Sequence, residues 1–224
     1  MIVIKLILLF FIYATLGWTI EVLTKLVSTR KFINRGFLIG PYCPIYGIGG
    51  VVATLLLTKY KNSFIITFIA SIIIFGSLEY FTSYLMEKLF KARWWDYSTK
   101  KYNINGRVCL ETLIPFGILG CTAIYIVNPI LFKFINRINP TTLIIIVVIL
   151  SVLFIIDFSV SLNIISGFKK TAVKFVKKDN TEEITKKVKE TLISKSKLNK
   201  RLVDSFPKFK SNINQLKEKR NCKK

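Results

Sequence analysis

The sequence predicts an all-α protein: a polytopic transmembrane helix bundle of about five spans, followed by a basic cytoplasmic C-terminal tail. Of the 224 residues, 52% are hydrophobic, yet Lys and Arg outnumber Asp and Glu by 34 to 12. Several apolar stretches reach the roughly 20 residues that a helix needs to cross a bilayer. The charge is unevenly distributed, with fifteen Lys and Arg against six Asp and Glu before residue 168 and nineteen against six after it. A membrane domain with a basic appendage accounts for both features.

Five apolar windows predict the spans of a transmembrane domain over residues 1–167. They cover residues 2–25, 42–58, 63–86, 110–132 and 142–167, and the second is the shortest and is rich in Gly and Pro. The first window also resembles a secretory signal peptide, because Lys5 precedes an apolar core. No small-residue cleavage site follows, and polar residues continue past Glu21, so we interpret it as a span.

The distribution of Lys and Arg predicts an outside N-terminus and a cytoplasmic C-terminus. With five spans, the inner loops carry ten Lys and Arg and the outer segments carry five, even when the tail is left out. Cytoplasmic loops carry the excess of these residues in membrane proteins.

Placing an ionisable residue inside a membrane span costs free energy, so such residues are the first candidates for function. Glu21, Glu79 and Asp157 interrupt apolar stretches, and Glu111 lies in the first turn of the fourth span, one turn after Arg107. In the predicted topology all four fall towards the inner side. Helical spacing places Glu21 on one face with Tyr13 and Gly17, and it places Glu79 on one face with Gly76, Ser83 and Glu87.

Two interpretations of these carboxylates remain open at this stage. In the first, Glu21, Glu79, Glu111 and Asp157 line a hydrated vestibule, with Arg35 and Arg107 as counter-charges. In the second, the carboxylates pair with these arginines and only hold the spans together.

An unusual segment precedes and enters the second predicted span. Its distinctive residues are Gly36, Gly40, Pro41, Cys43, Pro44, Tyr46 and Gly47. The two prolines prevent a continuous helix, and backbone left unpaired at membrane depth must be buried in protein or face water. The segment is either a re-entrant or broken entry that coordinates a substrate through backbone groups, or an interfacial turn before a close-packed helix.

The connection between the third and fourth spans contains a second motif. Its residues are Trp94, Trp95, Asp96, Tyr97, Asn105 and Gly106. An amphipathic segment in the headgroup region explains the aromatic residues. Alternatively, this loop docks on a cytoplasmic partner or closes the vestibule, and the Asn105-Gly106 turn directs Arg107 inwards.

These motifs resemble a known family. The matching runs are Gly17-Trp18-x-x-Glu21, Asn34-Arg35-Gly36-Phe37-Leu38-x-Gly40-Pro41-x-Cys43-Pro44-Ile45-Tyr46-Gly47, Trp94-Trp95-Asp96-Tyr97-Ser98 and Asn103-Ile104-x-Gly106-Arg107-x-Cys109-Leu110. They are similar, in order, to the bacterial family of integral membrane proteins described as putative ABC-transporter type IV. The resemblance implies a permease-like subunit in a bacterial inner membrane. It carries over no substrate and no catalytic residues.

Missing motifs narrow the function further. The chain contains no Gly-x-x-x-x-Gly-Lys-[Ser/Thr] motif, so ATP-driven transport needs a separate ATP-binding subunit. It contains no His, and its four cysteines form no C-x-x-C pair, which disfavours a metal site. We expect no enzyme activity, no cofactor and no metal in this chain. An intramembrane enzyme that uses carboxylates alone lacks any paired acidic motif to support it.

The predicted tail, residues 168–224, is partly helical or disordered. Ile184, Val188 and Leu192 recur every four residues between lysines, which suits a helix on anionic lipid. A solvated tail that only enforces topology is the alternative, and no motif indicates nucleic-acid binding.

Taken together, these features favour a permease subunit that moves an unknown substrate with a separate ATP-binding subunit. The alternative is a non-transporting membrane scaffold or regulatory protein whose intramembrane charges are structural.

Overall fold

The computed structural model describes residues 1–90, 92–93, 95–175, 201 and 210–211. Its helices are α1 (Ile2–Thr29), α2 (Pro44–Leu57), a 3₁₀ turn (Thr58–Tyr60), α3 (Phe64–Phe90), α4 (Leu110–Thr122), a π-helical segment (Ala123–Val127), α5 (Asn128–Ile135) and α6 (Pro140–Phe175). Its strands are β1 (Ala92–Arg93), β2 (Asn103–Ile104), β3 (Val108–Cys109) and β4 (Lys210–Ser211). β1 pairs antiparallel with β4, and β2 pairs antiparallel with β3.

The prediction of a polytopic helix bundle is confirmed. Four helices of the described chain are long and apolar enough to cross a membrane: α1, α3, the continuous run Leu110–Ile135, and α6. The second predicted span differs from these four. It is the 14-residue helix α2, which is about 21 Å long and so shorter than the roughly 30 Å hydrocarbon core.

Glycines let α1 and α2 pack in direct backbone contact. A Cβ atom on Gly47 would lie 2.7 Å from the carbonyl oxygen of Phe10, and one on Gly50 would overlap the ring of Tyr13. The ring of Tyr46 covers Gly17 in the same way and leaves no room for a Cβ atom there. These contacts explain why the short span is rich in Gly, since close approach of two helices excludes larger side chains.

Helix α6 runs parallel to α1. Near the start of both helices, Leu8 and Leu9 pack in one cluster with Leu143 and Val147. Further along, Phe11 contacts the ring of Phe154 at a centroid distance of 5.7 Å. Because both helices progress in the same direction, the N-terminus and the last residues of α6 lie at opposite ends of the bundle.

A second cluster joins the middle of the bundle. Ala53 and Leu57 of α2 are buried with Ile124 of the π-helical segment, and residues of α3 pack against them. The run from α4 to α5 is continuous but changes hydrogen-bonding period at residues 123–127. The π-helical turn therefore lies inside a predicted span, with Ala123 and Ile124 buried and Tyr125 and Ile126 exposed.

Little of the predicted tail is described. The lipid-binding helix expected around Ile184, Val188 and Leu192 lies outside the described residues. Where the chain is described again, Arg201 Nη2 donates to the carbonyl oxygen of Phe37 at 3.4 Å.

Candidate functional site

The segment between α1 and α2, residues 30–43, folds back along α1. Helix α1 ends where Arg30 adopts a left-handed conformation, with φ of 53°. At the other end of the segment, the Cys43 N–H donates to the carbonyl oxygen of Ala14 at 2.9 Å. Arg30 and Ala14 are about 24 Å apart along a helix axis, so the segment returns to the middle of the bundle without helical structure of its own.

Asp157 on α6 accepts hydrogen bonds from the backbone of this segment. Its Oδ1 accepts from the Ile39 N–H at 2.9 Å, and its Oδ2 accepts from the Gly40 N–H at 2.7 Å. Ser161, one turn later, donates to Oδ1 at 3.0 Å. Backbone groups without helical partners need such acceptors inside a bundle, because lipid offers none. Asp157 therefore holds the α1–α2 segment in place.

Glu21 contacts one residue of the same segment, Arg35, and one residue of α2, Tyr46. Its Oε1 accepts from the Tyr46 hydroxyl at 2.9 Å, and its Oε2 faces Nε of Arg35 at 3.4 Å. The Glu21 side chain keeps 34% of its surface exposed. Nearby, the Trp18 indole N–H donates to Asn34 Oδ1 at 2.7 Å, which links the first two of the runs matched to the family.

Glu79 on α3 is buried, with 8% of its surface exposed. The Tyr97 hydroxyl donates to Oε1 at 3.1 Å, and the Thr112 hydroxyl lies 3.4 Å from Oε2. Among the residues that the structure describes, no cation pairs with this carboxylate. Glu21 is close enough to repel it electrostatically. The described partners of Glu79 are hydroxyl groups, so ionisation of this buried carboxylate costs free energy.

Tyr97, in the loop between α3 and α4, is held as a neutral donor. Burial raises the pKa of its phenol well above the ordinary value, and the adjacent Glu79 carboxylate raises it further. Its backbone N–H donates to the carbonyl oxygen of Gly106 at 2.8 Å. The loop thus presents one hydroxyl to Glu79 from a fixed position.

The neighbouring carboxylate, Glu87, is fully paired. Its Oε2 lies 2.8 Å from Nη2 of Arg107 and 3.2 Å from Nη2 of Arg93. The side chains of Glu87 and Arg107 are 5% and 10% exposed, so this ion pair is buried. Arg107 also donates to the Ser83 hydroxyl at 3.1 Å, and its guanidinium lies over the Tyr84 ring.

A tight turn delivers Arg107 to this position. Asn105 and Gly106 both have positive φ, 52° and 65°, and the Arg107 N–H donates to the Ile104 carbonyl oxygen at 3.0 Å. This is the type I′ hairpin geometry that Asn-Gly favours. The same loop is fastened by the Trp95 indole N–H, which donates to the Arg107 carbonyl oxygen at 3.1 Å.

The loop motif predicted from the sequence also contains Asp96 and Trp94. Asp96 accepts from the Ser98 N–H at 3.0 Å and lies 3.6 Å from Nη1 of Arg93, so it stabilises the loop locally. Trp94 lies outside the described residues.

Glu111 lies apart from the other three predicted carboxylates. Its side chain is 61% exposed and pairs with the exposed Lys100 at 2.8 Å, a contact that raises the pKa of the lysine. Glu111 is separate from the other carboxylates because it lies in the first turn of α4, where its side chain faces the loop. Proximity in sequence to Arg107 did not bring the two side chains together.

The segment before α2 contributes mainly backbone geometry. Gly36 has a φ of 102°, which only glycine adopts without strain. A Cβ on Gly40 would lie 2.8 Å from the Asp157 carboxylate, so glycine is required for that contact. Pro44 is the first residue of α2, where its missing N–H costs nothing. Pro41 lies between Gly40 and Pro44 in the chain. Cys43 is buried and has a free thiol.

Sequence reasoning did not select Glu87 as the partner of Arg107, although Glu87 shares the helical face of Glu79. It also did not predict that Tyr97 and Thr112 bind Glu79. Hydroxyl groups give no signal in the sequence that distinguishes a carboxylate partner from a surface residue.

Comparison with known proteins gives one family. No curated protein and no solved structure matches the chain significantly. The family model described as putative ABC-transporter type IV matches residues 8–162, which include both motif segments and at least part of every helix from α1 to α6. This match and the four span-length helices identify an integral membrane protein. The chain belongs to the putative ABC-transporter type IV family.

Proposed function

We propose that this chain is the membrane-embedded permease subunit of an ATP-driven transporter, and that Glu79 lies on the path of its substrate. One observation carries the proposal: Glu79 is buried inside the bundle, its contacts are the hydroxyls of Tyr97 and Thr112, and no cation among the described residues pairs with it. Its neighbours Glu21 and Glu87 each have an arginine. A buried carboxylate without a counter-charge is costly in a membrane protein unless function requires it.

The other polar residues have supporting roles in this proposal. Glu21, which is partly exposed beside Glu79, extends the negative site towards the α1–α2 segment. Arg35 pairs with Glu21 and Arg107 pairs with Glu87, whereas Glu79 has no such arginine among the described residues. Asp157 positions the backbone of the segment, which forms one wall. A cationic group of the substrate, or a proton, is the natural ligand for Glu79.

The proposed orientation has the α1–α2 segment and the α3–α4 loop in the cytoplasm of a bacterial cell with the N-terminus outside. The excess of Lys and Arg in these two connections supports it. The parallel arrangement of α1 and α6 agrees with termini on opposite sides. The tail then lies on the cytoplasmic side, where its basic residues meet anionic lipid.

In this orientation the α3–α4 loop is the docking surface for a separate ATP-binding subunit. Tyr102 and Ile104 at the hairpin are 80% and 55% exposed, although both are large apolar residues. Glu79 and Glu87 hold the base of the same loop through Tyr97 and Arg107. Movement of the loop by a partner would therefore reach the buried carboxylate directly.

The test is purification of the tagged protein from its native membrane in mild detergent, with mass spectrometry and an ATPase assay of the eluate. We expect a stoichiometric ATP-binding subunit that is lost when Tyr102 and Ile104 are both changed to Ser. Tyr60→Ser is the matched control, because Tyr60 is a 40% exposed aromatic residue at the opposite end of the bundle. Absence of the subunit, under conditions that preserve another transporter of the same membrane, would overturn the proposal.

A second candidate function is a non-transporting membrane scaffold or regulator. The buried Glu87–Arg107 pair and the Asp157 backbone contacts favour it, since both hold helices and loops together without a ligand. In a scaffold, Glu79→Gln would leave the activity of any purified complex unchanged. In the permease, the same variant would lower substrate-stimulated ATPase activity while the complex stayed intact.

A further inference from the structure

A second polar cluster lies deeper in the bundle than the carboxylates. The Tyr13 hydroxyl of α1 donates to Asn128 Oδ1 at 2.8 Å, and Asn128 Nδ2 donates to the Thr54 hydroxyl of α2 at 3.0 Å. Tyr13 shares a helical face with Glu21 and lies about 12 Å from it along α1. The cluster therefore continues the polar face that begins at the carboxylate site, but it contains no charge.

The backbone is irregular where this cluster forms. The π-helical segment Ala123–Val127 ends directly before Asn128, and its first carbonyl oxygen accepts the Asn128 N–H. Pro129 follows and supplies no N–H to the preceding turn. π-Helical turns are frequent at functional sites, and transporters place substrate sites at broken helices near the middle of the bilayer. Here the irregular turn directs one amide side chain into the core.

Asn128 uses only part of its hydrogen-bonding capacity. Its side chain offers two donors and two acceptor positions. With 5% of its surface exposed, it makes one donor and one acceptor contact with the residues that the structure describes. One N–H and one lone pair remain for a further group. An interhelical contact that served packing alone would gain nothing from burying the unused half of an amide.

We propose that Tyr13, Thr54 and Asn128 form a second, uncharged binding site on the substrate path. This site binds a hydroxyl, carbonyl or amide group of the solute, while Glu79 binds its cationic group. The inference rests on the proposed transport function and adds the substrate class: a small cationic solute that also carries uncharged hydrogen-bonding groups. The tyrosine and asparagine bond each other while the site is empty and exchange this contact for the solute.

Cysteine accessibility tests the site without knowledge of the solute or the ATP-binding subunit. All four native cysteines are first changed to Ala, and Thr54→Cys is introduced into protein reconstituted in proteoliposomes. The probes are hydroxyethyl methanethiosulfonate, which is neutral and carries a hydroxyl, and sulfonatoethyl methanethiosulfonate, which is an anion. Leu55→Cys is the matched control on the outer face of α2, where the side chain is 58% exposed to the surroundings of the bundle. Lys59→Cys, outside the helix, reports full reactivity.

We expect the neutral probe to modify the Thr54→Cys variant at least about tenfold faster than the Leu55→Cys variant, and faster than the anionic probe does. Adding Asn128→Leu should slow the reaction at position 54 by about tenfold, since it removes the hydrogen bonds that hold the probe, and leave the reaction at position 59 unchanged.

Equal rates at positions 54 and 55, with position 59 fully reactive and the melting temperature retained, would overturn the site. So would an unchanged rate at position 54 when Asn128→Leu is added. Neither result depends on whether an ATP-binding subunit co-purifies, so failure here is distinguishable from failure of the proposed function.

Discussion

The buried Glu87–Arg107 pair allows a quantitative test of how the α3–α4 loop is held. The change is Glu87→Gln, which removes the charge and keeps the size of the side chain. In the folded protein, Arg107 is 10% exposed, and its shortest ion pair is the 2.8 Å contact to Glu87. Removal of one partner of a buried pair costs about 3–5 kcal/mol, because the other charge remains buried.

Three remaining contacts of Arg107 reduce this cost. The Arg107 guanidinium keeps its hydrogen bond to Ser83 and its position over the Tyr80 and Tyr84 rings, at 5.7 and 5.5 Å. A cation over an aromatic ring retains about 0.5–2 kcal/mol. We therefore expect Glu87→Gln to lower the free energy of unfolding by about 3 kcal/mol, towards the lower end of the range for a broken buried pair.

The assay is thermal unfolding of the purified protein in detergent, followed by tryptophan fluorescence. Trp95 reports on the loop directly, because its indole N–H donates to the Arg107 carbonyl oxygen. For a chain of this size, about 3 kcal/mol corresponds to a decrease in melting temperature of roughly 6–12 °C.

Glu111→Gln is the matched control, since this residue also pairs with a cation but is 61% exposed. Exposed pairs contribute little, so we expect no measurable change in melting temperature. If Glu87→Gln shifts the melting temperature no more than Glu111→Gln, the reasoning about the buried pair is wrong. A double variant that replaces both Glu87 and Arg107 with Met should recover most of the lost stability, because neither buried charge of the pair remains and Arg93 keeps its contact with Asp96.

Three further predictions use the same unfolding measurement. Gly47→Ala should lower the free energy of unfolding by about 1–3 kcal/mol, because the new Cβ would meet the Phe10 backbone. Gly49→Ala is the control and should be neutral, because the nearest atom to its Cβ is 3.4 Å away. Equal effects of the two variants would contradict the packing argument. Asp157→Ala should cost about 3 kcal/mol because two backbone N–H groups lose a charged acceptor, and a loss below about 1 kcal/mol would show that the segment is held otherwise. Glu79→Gln should cost less than about 1 kcal/mol because glutamine still accepts from Tyr97, and a larger loss than that of Glu87→Gln would contradict a carboxylate without a cationic partner.

The sequence was sufficient for the class of protein and for most helices. Apolar runs of span length depend on local composition alone, so α1, α3 and α6 could be predicted, although α6 ends at Phe175, eight residues beyond its predicted window. The Asn105-Gly106 turn was also readable, because positive φ at two adjacent residues restricts the residue types.

The partners of the carboxylates could not be predicted from the sequence in the same way. Glu21, Glu79, Glu111 and Asp157 look alike in the sequence, but their partners in the structure differ. Glu21 contacts an arginine and a tyrosine, and Glu79 contacts two hydroxyl groups. Glu111 pairs with an exposed lysine, and Asp157 accepts from two backbone N–H groups. Periodicity places a residue on a helical face, but the partner of that face depends on how the helices pack. The residue that pairs with Arg107 is therefore Glu87, further along the same helical face as the predicted candidate Glu79.

By itself, the sequence determined that this is a helical membrane protein with acidic residues inside its spans, because hydropathy and charge are properties of single residues and short windows. Only the tertiary structure decided which partners each acid has. Those of Glu79 are hydroxyl groups, since packing brings the α3–α4 loop and α4 against α3. The same holds for the α1–α2 segment. Its prolines predicted a break, but Asp157, distant in sequence, supplies the acceptors that allow unpaired backbone to enter the bundle.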